Sequence, residues 1–362
     1  YVDASRPNDL GSGKSWATAK RTIQAAIELT LTNDVIVVTN GTYSPISTGE
    51  RLITIQSVNG STFTTIDGAS SNRCASLGST TNVMLMGFSL INGQADYGAG
   101  SDGGTLISCV IATNTATISG GGASNGNLNN CIIKKNSAKT RGGGAYKSHL
   151  NACLIDNNNA SHGGGVYDCV LTNSQLVGNS AYYVDGGQGG GASKSTLFSC
   201  ALRNNSVSGK YNYNLTYGGG ASECKLFDCV LLGNQSVKHG GGSYAGTLSG
   251  CILSNNYALL GDGGGAYGGS LTNCLLTGNK AYNNGGGSAV GTLINCTVVH
   301  NIANNLGTSG VGGGASNGTL INCIIWDNVG SDWAGQNHSG CTIEYSCSTP
   351  LPSGTGNISS DP

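Results

Sequence analysis

The sequence predicts an all-β fold in which short strands coil into a parallel β-helix solenoid, and three observations predict it. A cysteine is followed five residues later by an asparagine in copy after copy, a triple glycine stands between copies, and the period lies in the low twenties with strand-like patterning. The stretch "CIIKKNSAKTRGGGAY", residues 131 to 146, carries all three features.

The asparagines are Asn114, Asn136, Asn158, Asn179, Asn205, Asn234, Asn256, Asn279, Asn301 and Asn328. Their cysteines are Cys109, Cys131, Cys153, Cys200, Cys229, Cys251, Cys274, Cys296 and Cys323, with Ser174 replacing the cysteine once, in the copy of Asn179. Six of the nine intervals are 21 to 23 residues long, and the longer ones carry insertions ahead of the glycines. Leucine-rich repeats share this period, but their "LxxLxLxxN" signature is missing. In a β-helix each copy is one coil, and stacked coils bury a continuous core. Equivalent residues then sit about 4.8 Å apart, so each asparagine amide can donate to its counterpart one coil away. The glycines supply a corner that a β-carbon would obstruct. Stacked cysteine β-carbons at the coil spacing are farther apart than the ~3.8 Å a disulfide prefers, which predicts buried free thiols. Any disulfide should involve Cys74, Cys169, Cys224, Cys341 or Cys347, which stand outside that column.

Before the regular coils, residues 15 to 43 read as a helix followed by a strand, with Ser15 as N-cap, an apolar face of Ile23, Ala26 and Ile27, and "DVIVV" as the strand. Strands follow at "LITIQS", "FTTIDG" and "VMLMGFSLING". The predicted organisation is a cap helix with irregular coils over 1–104, regular coils of about 22 residues over 105–345 and a C-terminal extension over 346–362, in one continuous solenoid. The extension has no coil spacing and is expected to be able to reach a neighbouring subunit.

A net charge of −1, with 17 basic and 18 acidic side chains, argues against nucleic acid or an anionic membrane as partner. No apolar run has the length of a membrane span, so no membrane insertion is expected. Beginning at Tyr1 without Met, the chain reads as a processed or trimmed segment. Long Gly/Asn/Ser/Thr-rich repeats predict a secreted protein, extracellular or on a bacterial cell surface. Sequons stand at Asn40, Asn214, Asn234, Asn317 and Asn357, as a composition this rich in Asn, Ser and Thr produces by chance.

Two columns are candidates for chemistry. Two residues before each ladder asparagine stand Lys134, Asp156 and Arg203 among mostly apolar residues, read as solvated charges with a Lys134–Asp156 surface pair. Immediately before the glycines stand Ser119, Arg141, His162, Gln188, Tyr217, His239, Asp262 and Asn284, a polar stripe along the solenoid that could meet a polymer. Tyr146 with Tyr167, and Tyr244 with Tyr267, should stack between coils. Insertions in neighbouring coils bring Tyr182, Tyr183, Tyr211, Tyr213 and Tyr217 together as aromatic surface for sugar rings or a protein. From these columns the candidate ligand-binding residues are Arg141, His162, Gln188, Tyr217, His239, Asp262, Tyr182, Tyr183, Tyr211 and Tyr213. Phosphate-loop, nucleophile-elbow, zinc and calcium-repeat motifs are missing, and no metal or catalytic residue is assigned.

The segments "TIQAAIELTLTNDVIVVTNGTYSP" and "NVMLMGFSLING" resemble the N-terminal cap and first coils of secreted bacterial right-handed β-helix proteins of the pectin lyase-like superfamily. The "GGGA" and "CxxxxN" copies are similar to the repeats of polymorphic outer-membrane adhesins. The resemblance implies a right-handed coil with an N-terminal capping helix. It leaves function open, because the superfamily holds lyases, hydrolases, tail spikes and adhesins.

The expected function is a secreted, non-catalytic structural protein, an extracellular filament subunit or adhesin stalk associated with glycan and able to self-associate head to tail. One alternative is a lyase or hydrolase of an acidic polysaccharide around Lys134, Arg141, Asp156, His162 and Arg203, the only case that would call for calcium as cofactor. The other is glycan binding without turnover through the polar stripe.

Overall fold

The structure is a computed structural model that describes residues 1–78, 82–183, 186–209, 215–304, 310–330 and 337–362, with Tyr183 described by its backbone alone. Two compact units emerge: Tyr1–Ala160 with Gly165–Ser174, and Ser161–Gly164 with Gln175–Pro362. Each is a parallel β-solenoid.

One coil of the first unit shows how the sequence makes the turn. Its strands are Asn127–Asn129, Ile132–Lys134, Ser137–Ala138 and Ala145–Tyr146. Left-handed residues mark the corners, Asn130 (φ 53°) after the first strand, Lys135 (φ 54°) after the second and Lys147 (φ 49°) after the fourth, while residues 139–144, with Gly142 at φ 59°, join the third to the fourth. Within each three-residue strand the central side chain points inward, and Leu128 and Ile133 are buried while their neighbours face out.

Within each unit the first and second strands stack residue on residue. In the first unit Leu106, Leu128, Leu150 and Leu171 pair in turn through the first strands, and Ile111, Ile133 and Ile155 through the second. The second unit repeats this with Leu197, Leu226, Leu248, Leu271, Leu293 and Leu320. Each such leucine contributes about 2 kcal/mol of burial. The third and fourth strands carry alanines inward, among them Ala116, Ala138 and Ala160, where backbones approach more closely than leucine allows.

The asparagine ladder is as predicted within each unit. Asn114 Nδ2 donates to Asn136 Oδ1 and Asn136 Nδ2 to Asn158 Oδ1, both at 3.0 Å. In the second unit the run passes from Asn179 through Asn205, Asn234, Asn256, Asn279 and Asn301 to Asn328. Along each run the accepting Oδ1 also takes the backbone N–H of the preceding asparagine, as in Asn205 N–H to Asn234 Oδ1 at 3.0 Å, and at the head of the ladder Asn114 Oδ1 takes Gly93 N–H at 2.6 Å. The third glycine of the triplet makes this possible, since a β-carbon on Gly144 would lie 3.1 Å from Asn158 Nδ2 and 2.7 Å from the carbonyl oxygen of Gly165.

All fourteen cysteines are free, including Cys74, Cys169, Cys224, Cys341 and Cys347. In the main column each Sγ sits over the carbonyl two residues earlier, as Cys131 does over Asn129 at 3.3 Å. Ser174 fills the same place, its hydroxyl donating to Thr172 O (2.8 Å) and accepting from Cys153 N–H (3.1 Å).

Both chain ends depart from expectation. The helix is short, Ile23–Ile27, and its cap is Thr22, whose hydroxyl accepts from Ala25 N–H at 3.2 Å. Ser15 instead precedes a separate 3-10 turn, Trp16–Thr18, and makes no side-chain capping bond. The predicted apolar face of Ile23, Ala26 and Ile27 is buried. Val2 pairs with the outer edge of strand Val35–Val38. The C-terminal extension lies back on its own last coil: Ser348 N–H donates to Ile358 O (3.0 Å), Ile358 N–H to Ser346 O (2.9 Å) and Tyr345 N–H to Thr355 O (2.8 Å). Within this chain the extension thus pairs with backbone groups of that coil's edge, as unpaired N–H and C=O groups require.

Candidate functional site: an aromatic and polar corner

The stripe ahead of the glycines forms in register. Ser119 pairs with Arg141 in the first unit, and His162, Gln188, Tyr217 and His239 pair in sequence in the second. Asp262 and Asn284 continue the second run, with Gly240 N–H donating to Asp262 O and Gly263 N–H to Asn284 O. Tyr182 lies elsewhere on the coil, exposed on the strand Ser180–Tyr183 opposite Ser208. The Tyr183 side chain, Tyr211 and Tyr213 lie outside the described residues, as does the sequon residue Asn214.

The residues of the lyase reading occupy two kinds of position on the coil. Lys134 and Asp156 are register neighbours on second strands of the first unit, and Arg203 stands on a second strand of the second unit, whereas Arg141 and His162 occupy the glycine corner. The expected Lys134–Asp156 pair is not formed among the described residues; Asp156 Oδ1 accepts from Asn157 Nδ2 at 2.7 Å instead. Of the sequon asparagines, Asn234 is fully buried in the ladder, and Asn357 Nδ2 donates to Ile343 O at 2.8 Å.

Sequence reading missed what holds the stripe together. In the second unit it is an outer ladder in which a side chain accepts the backbone N–H of the next coil's equivalent residue. His239 Nδ1 accepts from Asp262 N–H (3.2 Å), Asp262 Oδ1 from Asn284 N–H (3.0 Å) and Nδ2 (3.1 Å), and Asn284 Oδ1 from Val311 N–H (3.2 Å). An acceptor role fixes Nδ1 without a proton, so the neutral ring carries its hydrogen on Nε2. Burial pushes the His239 pKa down; the Asp262 carboxylate, with Oδ2 3.5 Å from Nδ1, opposes this, and Lys238 adds to it. At neutral pH the two residues are therefore joined by the Asp262 backbone N–H bond to Nδ1 and not by an ion pair.

Rings flank this ladder. Tyr217 stacks on Tyr244 with centroids 4.4 Å apart, His239 on Tyr267 at 4.3 Å, and Tyr244 on Tyr267 at 5.6 Å with planes 3° apart. The predicted Tyr244–Tyr267 pair is thus part of a four-ring array. Because the rings cover one another's faces, edges and phenolic hydroxyls are what remain for a partner. Burial raises the pKa of Tyr244 and Tyr267, so both stay protonated donors. In the first unit Tyr146 stacks on Tyr167 at 6.0 Å, as expected.

Beyond the ladder bonds the array presents His239 Nε2–H, Asp262 Oδ2, one Asn284 amide hydrogen and the hydroxyls of Tyr244 and Tyr267. This alternation of donors and acceptors at the coil repeat matches a hydroxyl-bearing ligand. Among the described residues no group of three His, Cys, Asp or Glu side chains is placed to hold a metal, and no helix is long and apolar enough to cross a membrane.

No family model matches the chain, and no curated protein matches it. Solved structures do. Tailspike protein 3 of bacteriophage CBA120 is 10% identical over 97% of this chain and 62% of its own, with a TM-score of 0.49. The catalytic unit of the GH87 α-1,3-glucanase from Streptomyces thermodiastaticus strain HF3-3 is 11% identical over 99% of this chain and 69% of its own (TM-score 0.44), and the Agl-KA catalytic domain 12% identical over 94% and 68% (TM-score 0.43). Likeness at this level says nothing about chemistry.

Proposed function

We propose that this protein is a non-catalytic glycan-binding β-solenoid of the secreted or cell-surface, adhesin-like kind, and that the corner built by Tyr217, His239, Tyr244, Asp262, Tyr267 and Asn284 is its binding surface. One observation carries the reading: the outer ladder holds His239, Asp262 and Asn284 rigidly while leaving each a free donor or acceptor beside tyrosine hydroxyls. Pre-organised polar groups next to aromatic edges lower the ordering cost of binding a polyol. The filament reading draws less support, because the extension pairs with part of the strand edge, at Tyr345, Ser346 and Ser348, that a head-to-tail partner would use.

The test is a glycan array followed by calorimetry on the best ligand, with released reducing ends and unsaturated products assayed on the same polymers. Binding without product, weakened about tenfold by Tyr267→Phe through loss of a hydroxyl contact, supports the proposal. Tyr267→Phe keeps the ring stack, so folding is not in question. Turnover of any polymer, or binding indifferent to Tyr267→Phe and to Asn284→Ala, refutes it.

A further inference from the structure

The equivalent corner of the first unit has different chemistry. Tyr97, Tyr146 and Tyr167 form a ring series with centroids 6.3 and 6.0 Å apart, and two cations lie on it. Arg141 Cζ is 5.3 Å from the Tyr167 centroid, and Lys147 Nζ is 5.4 Å from that of Tyr146. Both cations are exposed. Four other arginines are engaged: Arg73 donates to the carbonyls of Gly98 and Tyr97 and faces Asp102 at 3.7 Å, Arg6 faces Asp3, and Arg21 and Arg51 donate to the carbonyls of Pro7 and Thr48, while Arg203 is exposed on its strand. Among the described residues Arg141 and Lys147 make no ion pair. Lys147 has Asp168 at the equivalent corner one coil on, which offsets part of its charge, so Arg141 dominates.

A guanidinium lying over a ring keeps its in-plane N–H groups free, in the fork geometry that takes a carboxylate or sulfate bidentately. The ring holds it in place and reduces the ordering cost. We infer that Arg141, on the Tyr146–Tyr167 stack and assisted by Lys147, is a subsite for an anionic sugar, one bearing a carboxylate or a sulfate ester. The polymer class rests on the glycan-binding reading above, but the anion subsite lies in a different unit and on different residues. The phenolic edges of Tyr146 and Tyr167, in register on successive coils, suit an extended hydroxylated chain. It offers no apolar recess for peptide side chains.

The experiment compares dextran, dextran sulfate, polygalacturonate and poly-glutamate at one ionic strength, using the intact chain and its Arg141→Ala, Arg141→Lys and Tyr267→Phe variants. Dextran sulfate or polygalacturonate should bind more tightly than dextran, and whichever does so identifies the anion. Arg141→Ala should weaken that binding about tenfold, Arg141→Lys should restore only part, and added salt should weaken it further. Tyr267→Phe should weaken dextran and the anionic polymer by the same factor and so leave the ratio of the two affinities unchanged, whereas Arg141→Ala should lower that ratio, which separates failure of this subsite from failure of the second-unit surface. Arg141 is exposed, so its variants keep the wild-type melting temperature. Equal affinity for dextran, indifference to Arg141→Ala, or poly-glutamate binding as tightly as the anionic glycans overturns the inference.

Discussion

The side-chain amide of Asn328 donates to Oδ1 of Asn337 at 2.9 Å, and the same oxygen accepts the backbone N–H of Asn328 at 2.8 Å. Asn337 is not a member of the repeating asparagines. It stands in register with Gly314, the third glycine of its triplet, whose N–H donates to Asn337 O. In the other coils a β-carbon here would strike the next ladder asparagine. Where the column ends, the place of that asparagine is empty of a counterpart, and the Asn337 amide enters it from the opposite side of the corner. Ladder and glycine triplet are two halves of one device.

If so, a ladder residue inside the run is among the most costly to remove. Asn205→Ala takes away the acceptor for both Asn179 N–H groups and the donor to Leu176 O and Asn234 Oδ1. With several buried groups left unpaired, the loss should be on the order of 4 kcal/mol in urea unfolding. A loss below about 1 kcal/mol would mean that water enters the column and replaces the amide.

Glycine substitutions should separate space from backbone strain. A β-carbon on Gly220 would lie 2.7 Å from the carbonyl oxygen of Gly242 and 3.0 Å from Asn234 Cγ, whereas Gly60, at φ +85°, has open space around it. Gly220→Ala should cost about 3 kcal/mol through overpacking, and Gly60→Ala about 1 kcal/mol through its left-handed backbone. Chemical denaturation of the two variants checks the order.

The thiols should be inert in the fold. Thirteen cysteines are buried and Cys341 is half-buried, and burial pushes the pKa of Cys169 and Cys224 up to about 12, which leaves almost no thiolate at neutral pH. An aromatic disulfide reagent should therefore label Cys341 first and the rest only on unfolding. Because Ser174 already serves in the column, Cys229→Ser should change stability by less than about 1 kcal/mol.

Acidification should loosen the aromatic corner. The His239 pKa is lowered below its ordinary 6.5 by burial. Between the lowered value and 6.5 the unfolded chain binds a proton that the folded chain does not, so stability falls as pH drops through that window and is unaffected above it. His338 shifts in the same direction, also by burial. The melting temperature should decline from pH 7 to pH 5, and His239→Gln should reduce that decline without abolishing it. An unchanged slope would show that His239 titrates freely.

Much of this was legible in the repeat. Asn136 and Cys131 announced an inward column because a buried amide is satisfied only by its own copy one coil away, and Leu128 and Ile133 announced the core by alternation. The candidate site was half legible: Tyr217, His239, Asp262 and Asn284 were recognisable as one polar column. Their use of the acceptors His239 Nδ1 and Asp262 Oδ1 to hold the following coil was not, since it depends on where corner N–H groups point. Ser15 failed as a cap because Asp9 takes the N–H groups of Arg21 and Thr22 and sets the helix start later.

What the sequence alone determined is therefore the coil, its period and its inward columns, because these repeat identical local chemistry and any copy predicts the next. What only the tertiary structure decided is everything that occurs once: the ring faces of Tyr217 and Tyr244 turned on each other, the unpaired guanidinium of Arg141 over Tyr167, the Asn337 amide closing the ladder and the tail lying on its own last coil. Each of these joins residues from different coils through the geometry of a single corner or edge, and a spacing pattern carries no information about which neighbour a side chain meets there.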